Sequence, residues 1–148
     1  MIIKDSDDLV KMWSEDSEID QFDLNSSNSK TGKLHSKYNG IMTTHAKIAK
    51  GIEAEFKRKK RVKFEYYCGD IVSREELEKH GLQPLRKKIL KADIQFYLET
   101  DDDLIKIQLK KVFHDEIVEF CKYVLKELNN RTWQIKSMID WNKFQSGG

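Results

Sequence analysis

Apolar residues recur along the chain at steps of three and four, the period of amphipathic helices. The longest stripe joins Leu34, Tyr38, Ile41, His45, Ile48 and Ile52, with steps alternating between four and three as in a coiled-coil seam. Phe56 follows at +4, a stutter in the heptad, and Val62 and Tyr66 lie further along. Phe64-Glu65-Tyr66-Tyr67 alternates locally as a strand would, but it continues the helical register, and Gly69 offers a stop. Gly40 and Gly51 fall inside this predicted helix, where each costs about 1 kcal/mol, so close packing or a bend is expected there. A second stripe, Ile105, Leu109, Val112, Phe113, Ile117, Phe120, Val124 and Leu128, runs to Asn129-Asn130 and is the best core candidate.

Capping residues mark the remaining elements. Ser6, followed by Asp7 and Asp8, starts a short helix whose apolar face is Leu9, Val10, Met12 and Trp13. From Asp16 to Gly32 the composition turns to Asp, Ser and Asn, which predicts a loop or mobile linker. Ser73 and Glu76 form a capping box for a helix ending at His80-Gly81. Pro84 breaks the chain, and a further helix is expected from about Leu85 to Leu98. Thr100 before Asp101-Asp102-Asp103 reads as a hydroxyl cap followed by three charges at the positive end of a dipole. A last amphipathic stretch carries Trp133, Ile135, Met138, Ile139, Trp141 and Phe144, before a Ser146-Gly147-Gly148 tail. The expected fold is all-α, with long amphipathic helices packed in a coiled-coil-like manner.

Composition narrows the function. At 148 residues the chain suits one domain. One proline and seven glycines are too few turn signals for a many-stranded sandwich or barrel. No apolar run reaches the length of a membrane span, so no membrane association is expected. Cys68 and Cys121 exclude a disulfide scaffold or a four-cysteine zinc site and suit a reducing, cytosolic setting. The net charge of +2 hides a strong segregation. Residues 1–25 carry eight acids and two lysines, residues 26–63 carry eleven basic groups and two glutamates, and the remainder is nearly balanced. Such a concentrated patch sets up a local field that a neutral total conceals.

The densest chemical signal is Phe56-Lys57-Arg58-Lys59-Lys60-Arg61-Val62-Lys63-Phe64-Glu65-Tyr66-Tyr67. Six of the seven residues from Lys57 to Lys63 are basic, and aromatics stand on both sides. Cations can track the phosphates of a single strand while Phe64, Tyr66 or Tyr67 stacks on a base. The plainer reading is a solvated helix face with its aromatics in the core. Arg86-Lys87-Lys88 and Lys91 make a weaker basic cluster. The Asp101–Asp103 run is accounted for by capping and the helix dipole without a metal, and His35, His45, His80 and His114 lack ligand spacing. Neither GxxxxGK[ST] nor GxGxxG occurs, so no catalytic residue, metal or cofactor is assigned. Trp133, Trp141 and Phe144 add apolar surface to an already sufficient core, for packing within the chain or for a subunit contact, and the amphipathic terminal helix with the long heptad stripe favours oligomerisation.

In the order of its short motifs the sequence resembles the UvsY family, recombination mediators of T4-like bacteriophages and their cyanophage relatives. The similarity lies in Leu34-His35-Ser36-Lys37-Tyr38, in Arg61-Val62-Lys63-Phe64-Glu65-Tyr66-Tyr67 with Gly69, and in Phe96-Tyr97-Leu98-Glu99-Thr100-Asp101 through Leu104-Ile105. It continues in Asn130-Arg131-Thr132-Trp133-Gln134-Ile135-Lys136 and Trp141-Asn142-Lys143-Phe144. An extended acidic head and the dense Lys57–Lys63 run depart from the family pattern.

The resemblance implies a non-enzymatic factor in homologous recombination and in recombination-dependent replication or repair. Such a protein binds single-stranded DNA and helps load a RecA-like phage recombinase onto DNA covered by the phage single-strand-binding protein. It implies a ring-like homo-oligomer, a hexamer or heptamer, in the cytoplasm of the infected bacterial host. The family's two DNA-binding basic residues map onto Arg61 and Lys63, and its assembly region onto Trp133, Ile135, Met138, Ile139, Trp141 and Phe144. Lys57, Arg58, Lys59 and Lys60 are expected to assist on phosphates. On this basis residues 1–32 form an acidic head with a short helix and linker, and 33–148 a helical DNA-binding and oligomerisation domain. The rival reading is a helical oligomeric scaffold that binds partner proteins and no nucleic acid.

Overall fold

The computed structural model describes residues 1–147, so Gly148 of the predicted tail lies outside the described residues. The helices are α1 (Ser6–Asp16), α2 (Leu24–Tyr67), α3 (Arg74–Lys79), α4 (Ile94–Glu99) and α5 (Asp102–Gln145), with a 3-10 turn at Lys91–Asp93. Among the described residues there is no strand, and the fold is all-α as the periodicity predicts. The chain forms two compact units, residues 1–48 with 113–148, and residues 49–112.

The first unit is built around the predicted stripe. Tyr38 and Ile41 of α2 meet Ile117, Cys121, Val124 and Leu128 of α5, and Ile3 and Leu9 close the same core. Trp13 packs its ring edge-on against Tyr38 at 5.4 Å, and Asp16 accepts hydrogen bonds from the Tyr38 hydroxyl (2.8 Å) and Lys37 (2.6 Å). His45 is also buried; its Nε2 accepts from the Ile3 N–H at 2.9 Å, which leaves its Nδ1 2.8 Å from Nδ1 of His114. Burial first, then the neighbouring His114, holds His45 below the ordinary histidine range. Burial pushes the Cys121 thiol up to about 11, consistent with an inert core cysteine.

Three local expectations change. Residues 24–32 are helical rather than a linker, because Asp23 caps α2 by accepting from Ser26 N–H at 3.1 Å. The buried Arg131 then donates to the carbonyls of Asp16 (3.0 Å), Glu18 (3.3 Å) and Ser27 (3.5 Å), which orders the Ser- and Asn-rich stretch. The second stripe and the last amphipathic stretch, read on either side of Asn129-Asn130, are one helix, since Leu128, Arg131 and Ile135 continue one buried stripe and α5 runs through. Gly40 and Gly51 are not closely packed: a Cβ on either would meet nothing within 4 Å, and α2 is continuous through both.

The second unit has two smaller cores. Tyr66, Ile71, Leu77 and Leu82 form one, and Ile89, Ile94, Leu98 and Leu104 the other. Gly69, at φ +86°, reverses the chain after α2, with the Asp70 N–H donating to the Glu65 carbonyl at 3.0 Å. Ser73 caps α3 by accepting from Glu76 N–H, as its capping motif predicts. The helix predicted over Leu85–Leu98 shrinks to Ile94–Glu99, because Leu85 packs against both cores and residues 82–90 are drawn out between them. The cap of α5 is Asp101 rather than Thr100: its Oδ1 accepts from Leu104 N–H at 3.0 Å, while Thr100 ends α4. Likewise Asp5, not Ser6, caps α1. Ile105, Leu109 and Val112, placed in the core by their spacing, are at least partly exposed.

Candidate nucleic-acid interface

The basic run occupies the last three turns of α2, within the second unit. Phe56, Lys63 and Tyr66 turn inward there, so the residues between them must fan around the outer side of the helix at 3.6 residues per turn. Lys57, Arg58, Lys60 and Arg61 are exposed, and Lys59 is half-buried at the edge of the packed face. The only ion pairs on these five cations among the described residues are weak surface ones, Lys57 with Glu53 at 3.7 Å and Arg61 with Glu65 at 3.4 Å. Pairs of that kind contribute little and are easily given up to another anion. Lys60 also lies over the Phe56 ring at 6.0 Å. The result is an arc of cations on a rigid helix.

Lys63 does not belong to that arc. It is only 5% exposed, and its ammonium lies 2.8 Å from Asp103 and 3.1 Å from Asp101. Burial alone would lower its pKa, but hydrogen bonds to the two carboxylates outweigh burial and hold it above the ordinary lysine range. Asp101 is in turn held below the usual carboxylate range: burial opposes this, and the Tyr67 hydroxyl, the Leu104 N–H and Lys63 overcome it. Lys63, expected to meet phosphate directly, thus sits inside the fold with two carboxylates rather than on the exposed arc. Its charge is already neutralised inside the fold. The signal was present in the sequence, since Lys63 lies seven residues after Phe56 and three before Tyr66, on the inward stripe. The acids that hold it were also legible, but they read as dipole-stabilising charges alone.

The aromatics divide as cleanly. Tyr66 is buried and its hydroxyl donates to the Gln83 carbonyl, while Tyr67 donates to Asp101 and packs against Tyr97 at 5.5 Å. Both are structural. Phe64 is half exposed, four residues after Lys60 and three after Arg61 on the outer arc. It alone of the three candidate stacking rings offers a free face.

The C-terminal turns of α5, in the first unit, present a different surface. Trp133, Trp141 and Phe144 are 69%, 58% and 75% exposed, and the last two stack with ring centroids 5.8 Å apart. Met138 and Ile139 are half-buried. Ile135, expected at a subunit contact, is instead fully used in its own unit at 1% exposure. Three large rings left in water on one helix end are an uncommon expense for a monomer.

Among the described residues no group of three or more His, Cys, Asp or Glu side chains could hold a metal ion, and no helix is long and apolar enough to cross a membrane.

Comparison with known proteins points to one family. Residues 12–148 match the model of a family described as recombination, repair and ssDNA binding protein UvsY. Crystal structures of the bacteriophage T4 recombination mediator protein UvsY resemble the chain closely in fold at 22% identity. Lattice type II gives a TM-score of 0.85 and covers 98% of this chain and 100% of that one. Lattice type I gives 0.82, covering 93% and 98%. No curated protein matches by sequence.

Proposed function

The chain belongs to the UvsY family of recombination, repair and single-stranded-DNA-binding proteins, and from that premise we propose that it is a recombination mediator. In this reading it holds single-stranded DNA and helps a RecA-like phage recombinase replace the phage single-strand-binding protein. The observation that carries the reading is the outer arc of α2, where Lys57, Arg58, Lys60 and Arg61 stand exposed around the free face of Phe64. Phosphates would lie on the cations and a base on Phe64, a stacking contact worth about 1–3 kcal/mol. Lys59 contributes from the edge of the arc. Lys63 acts at one remove, fixing α2 to the start of α5 so that the arc keeps its shape.

One such helix is a modest electrostatic site. Self-association through Trp133, Trp141 and Phe144, with Met138 and Ile139 behind them, would repeat it around a ring-like homo-oligomer, a hexamer or heptamer. Avidity then follows from effective concentration without any new contact. A strand held across several subunits would be bent away from a resident binding protein. Residues 33–148 would carry both activities, with residues 1–32 as an acidic head.

Titrating the protein against fluorescent single- and double-stranded oligonucleotides over a range of salt, with its mass measured in parallel, tests the reading. A discrete oligomer should prefer the single strand, with log K falling by about 0.7 per log unit of salt for each phosphate neutralised. An oligomer indifferent to both oligonucleotides would remove the mediator assignment and favour a protein-binding scaffold.

A further inference from the structure

We propose that the DNA path continues from α2 into a cleft of the second unit that takes the phosphodiester backbone of a single strand. This rests on the single-strand-binding reading above. The cleft has a volume of about 460 Å³ and is lined by Glu55 and Lys59 of α2, His80 at the end of α3, and Asp103, Lys106 and Lys110 of α5. Lys106 and Lys110 are exposed and one helical turn apart, so their ammonium groups lie on the same side of α5.

Charge decides what such a cleft accepts. Among the described residues none of Lys59, Lys106 and Lys110 has a carboxylate within ion-pair distance. Of the two acids in the lining, Asp103 is already engaged by Lys63 at 2.8 Å. Lys63 also pairs with Asp101, so its one charge leaves one negative charge on the two acids; with Glu55 the cleft then sets three unpaired cations against two carboxylate charges across a concave surface that focuses their field. Lys59 is the joint, because its sequence neighbours Arg58 and Lys60 belong to the outer arc. A strand leaving that arc at Lys59 enters the cleft that Lys59 shares with Lys106 and Lys110. The volume falls in the range of small-molecule pockets, so it admits a short stretch of backbone. Ile107 is the one apolar side chain in the lining, and the spaced cations around it suit a backbone of repeating phosphates.

The test compares two matched double variants of the full chain. Lys106→Ala with Lys110→Ala removes the cleft cations, and Lys122→Ala with Lys126→Ala removes two exposed lysines at the same spacing elsewhere on α5. Affinity for a fluorescent oligothymidine is measured across salt, with circular dichroism and mass as controls. The cleft pair should lower the slope of log K against log salt by about 1.4, two contacts' worth, and the reference pair should leave it unchanged. An unchanged slope in the cleft pair, with wild-type binding intact, overturns the cleft while sparing the mediator reading. A wild-type protein that binds no DNA overturns both. Loss of retention on immobilised polyglutamate, with the DNA slope kept, would assign the cleft to an acidic protein segment and overturn it as well.

Discussion

The two units solve the same packing problem with opposite materials. The first has a continuous apolar core between α2 and α5, and burial beside it holds the pKa of His45 below the ordinary histidine range. Its leftover groups are large rings in water. The second has two small cores, and its centre is a charged network of Lys63, Asp101, Asp103 and Tyr67. Its leftover groups are cations. In each unit, function is read from what the interior does not use. A lysine in the second unit is therefore not a DNA contact merely because it sits in a basic run, and an isoleucine in the first is not an interface merely because it sits in an apolar one.

The sharpest way to break this comparison is to exchange the roles of neighbouring cations. Lys63→Ala strands two acids beside a buried site and should destabilise the second unit by about 3–5 kcal/mol. Arg61→Ala, whose side chain is 83% exposed, should stay within about 0.5 kcal/mol of wild type. Urea unfolding of the two variants separates them, and equal losses would erase the distinction between anchor and contact. Next in size, Trp141→Ser with Phe144→Ser should reduce the solution mass by light scattering while helical content holds. Full-size particles from that variant would place the subunit contact elsewhere.

Acid should separate the units more gently. The folded pKa of His45 lies below that of the unfolded chain, so the unfolded state takes up a proton first as pH falls. The first unit should then be fully stable above about pH 6.5 and lose stability as pH descends toward the depressed folded value. In the second unit Asp101 is held low and Lys63 high, so neither changes protonation between pH 7.5 and 5.5. Hydrogen exchange resolved by segment should show the first unit loosening over that interval, and His45→Gln should flatten the response. The smallest effect is a gain: Gly40→Ala and Gly51→Ala, each with open space for a Cβ, should raise stability by about 1 kcal/mol apiece in thermal melts.

Periodicity made the long helices legible because a stripe such as Tyr38, Ile41 and His45 must be buried somewhere, and a single chain suffices to show it. Boundaries were less legible where distant residues decide them. The Ser- and Asn-rich Asn25–Ser29 is a poor helix former, and the helix forms there with Asp23 capping it and Arg131, more than a hundred residues later, donating to the Ser27 carbonyl. Leu85 is drawn from its expected helix by two cores at once. The basic run was visible as composition, and the spacing of Phe56, Lys63 and Tyr66 already sets Lys63 inward of Arg61, but its pairing with Asp101 and Asp103 needed the fold. Ile105, Leu109 and Val112 show the converse limit, since helical spacing identifies a face without saying whether this chain or another covers it.

The most direct test of the account is the salt-dependent affinity of Arg58→Ala with Arg61→Ala for a single-stranded oligonucleotide, measured beside its mass and melting temperature. The account predicts a slope about 1.4 lower than wild type, at unchanged mass and stability. Wild-type affinity and slope in that variant would contradict it, because the exposed arc of α2 would then not be where the strand lies.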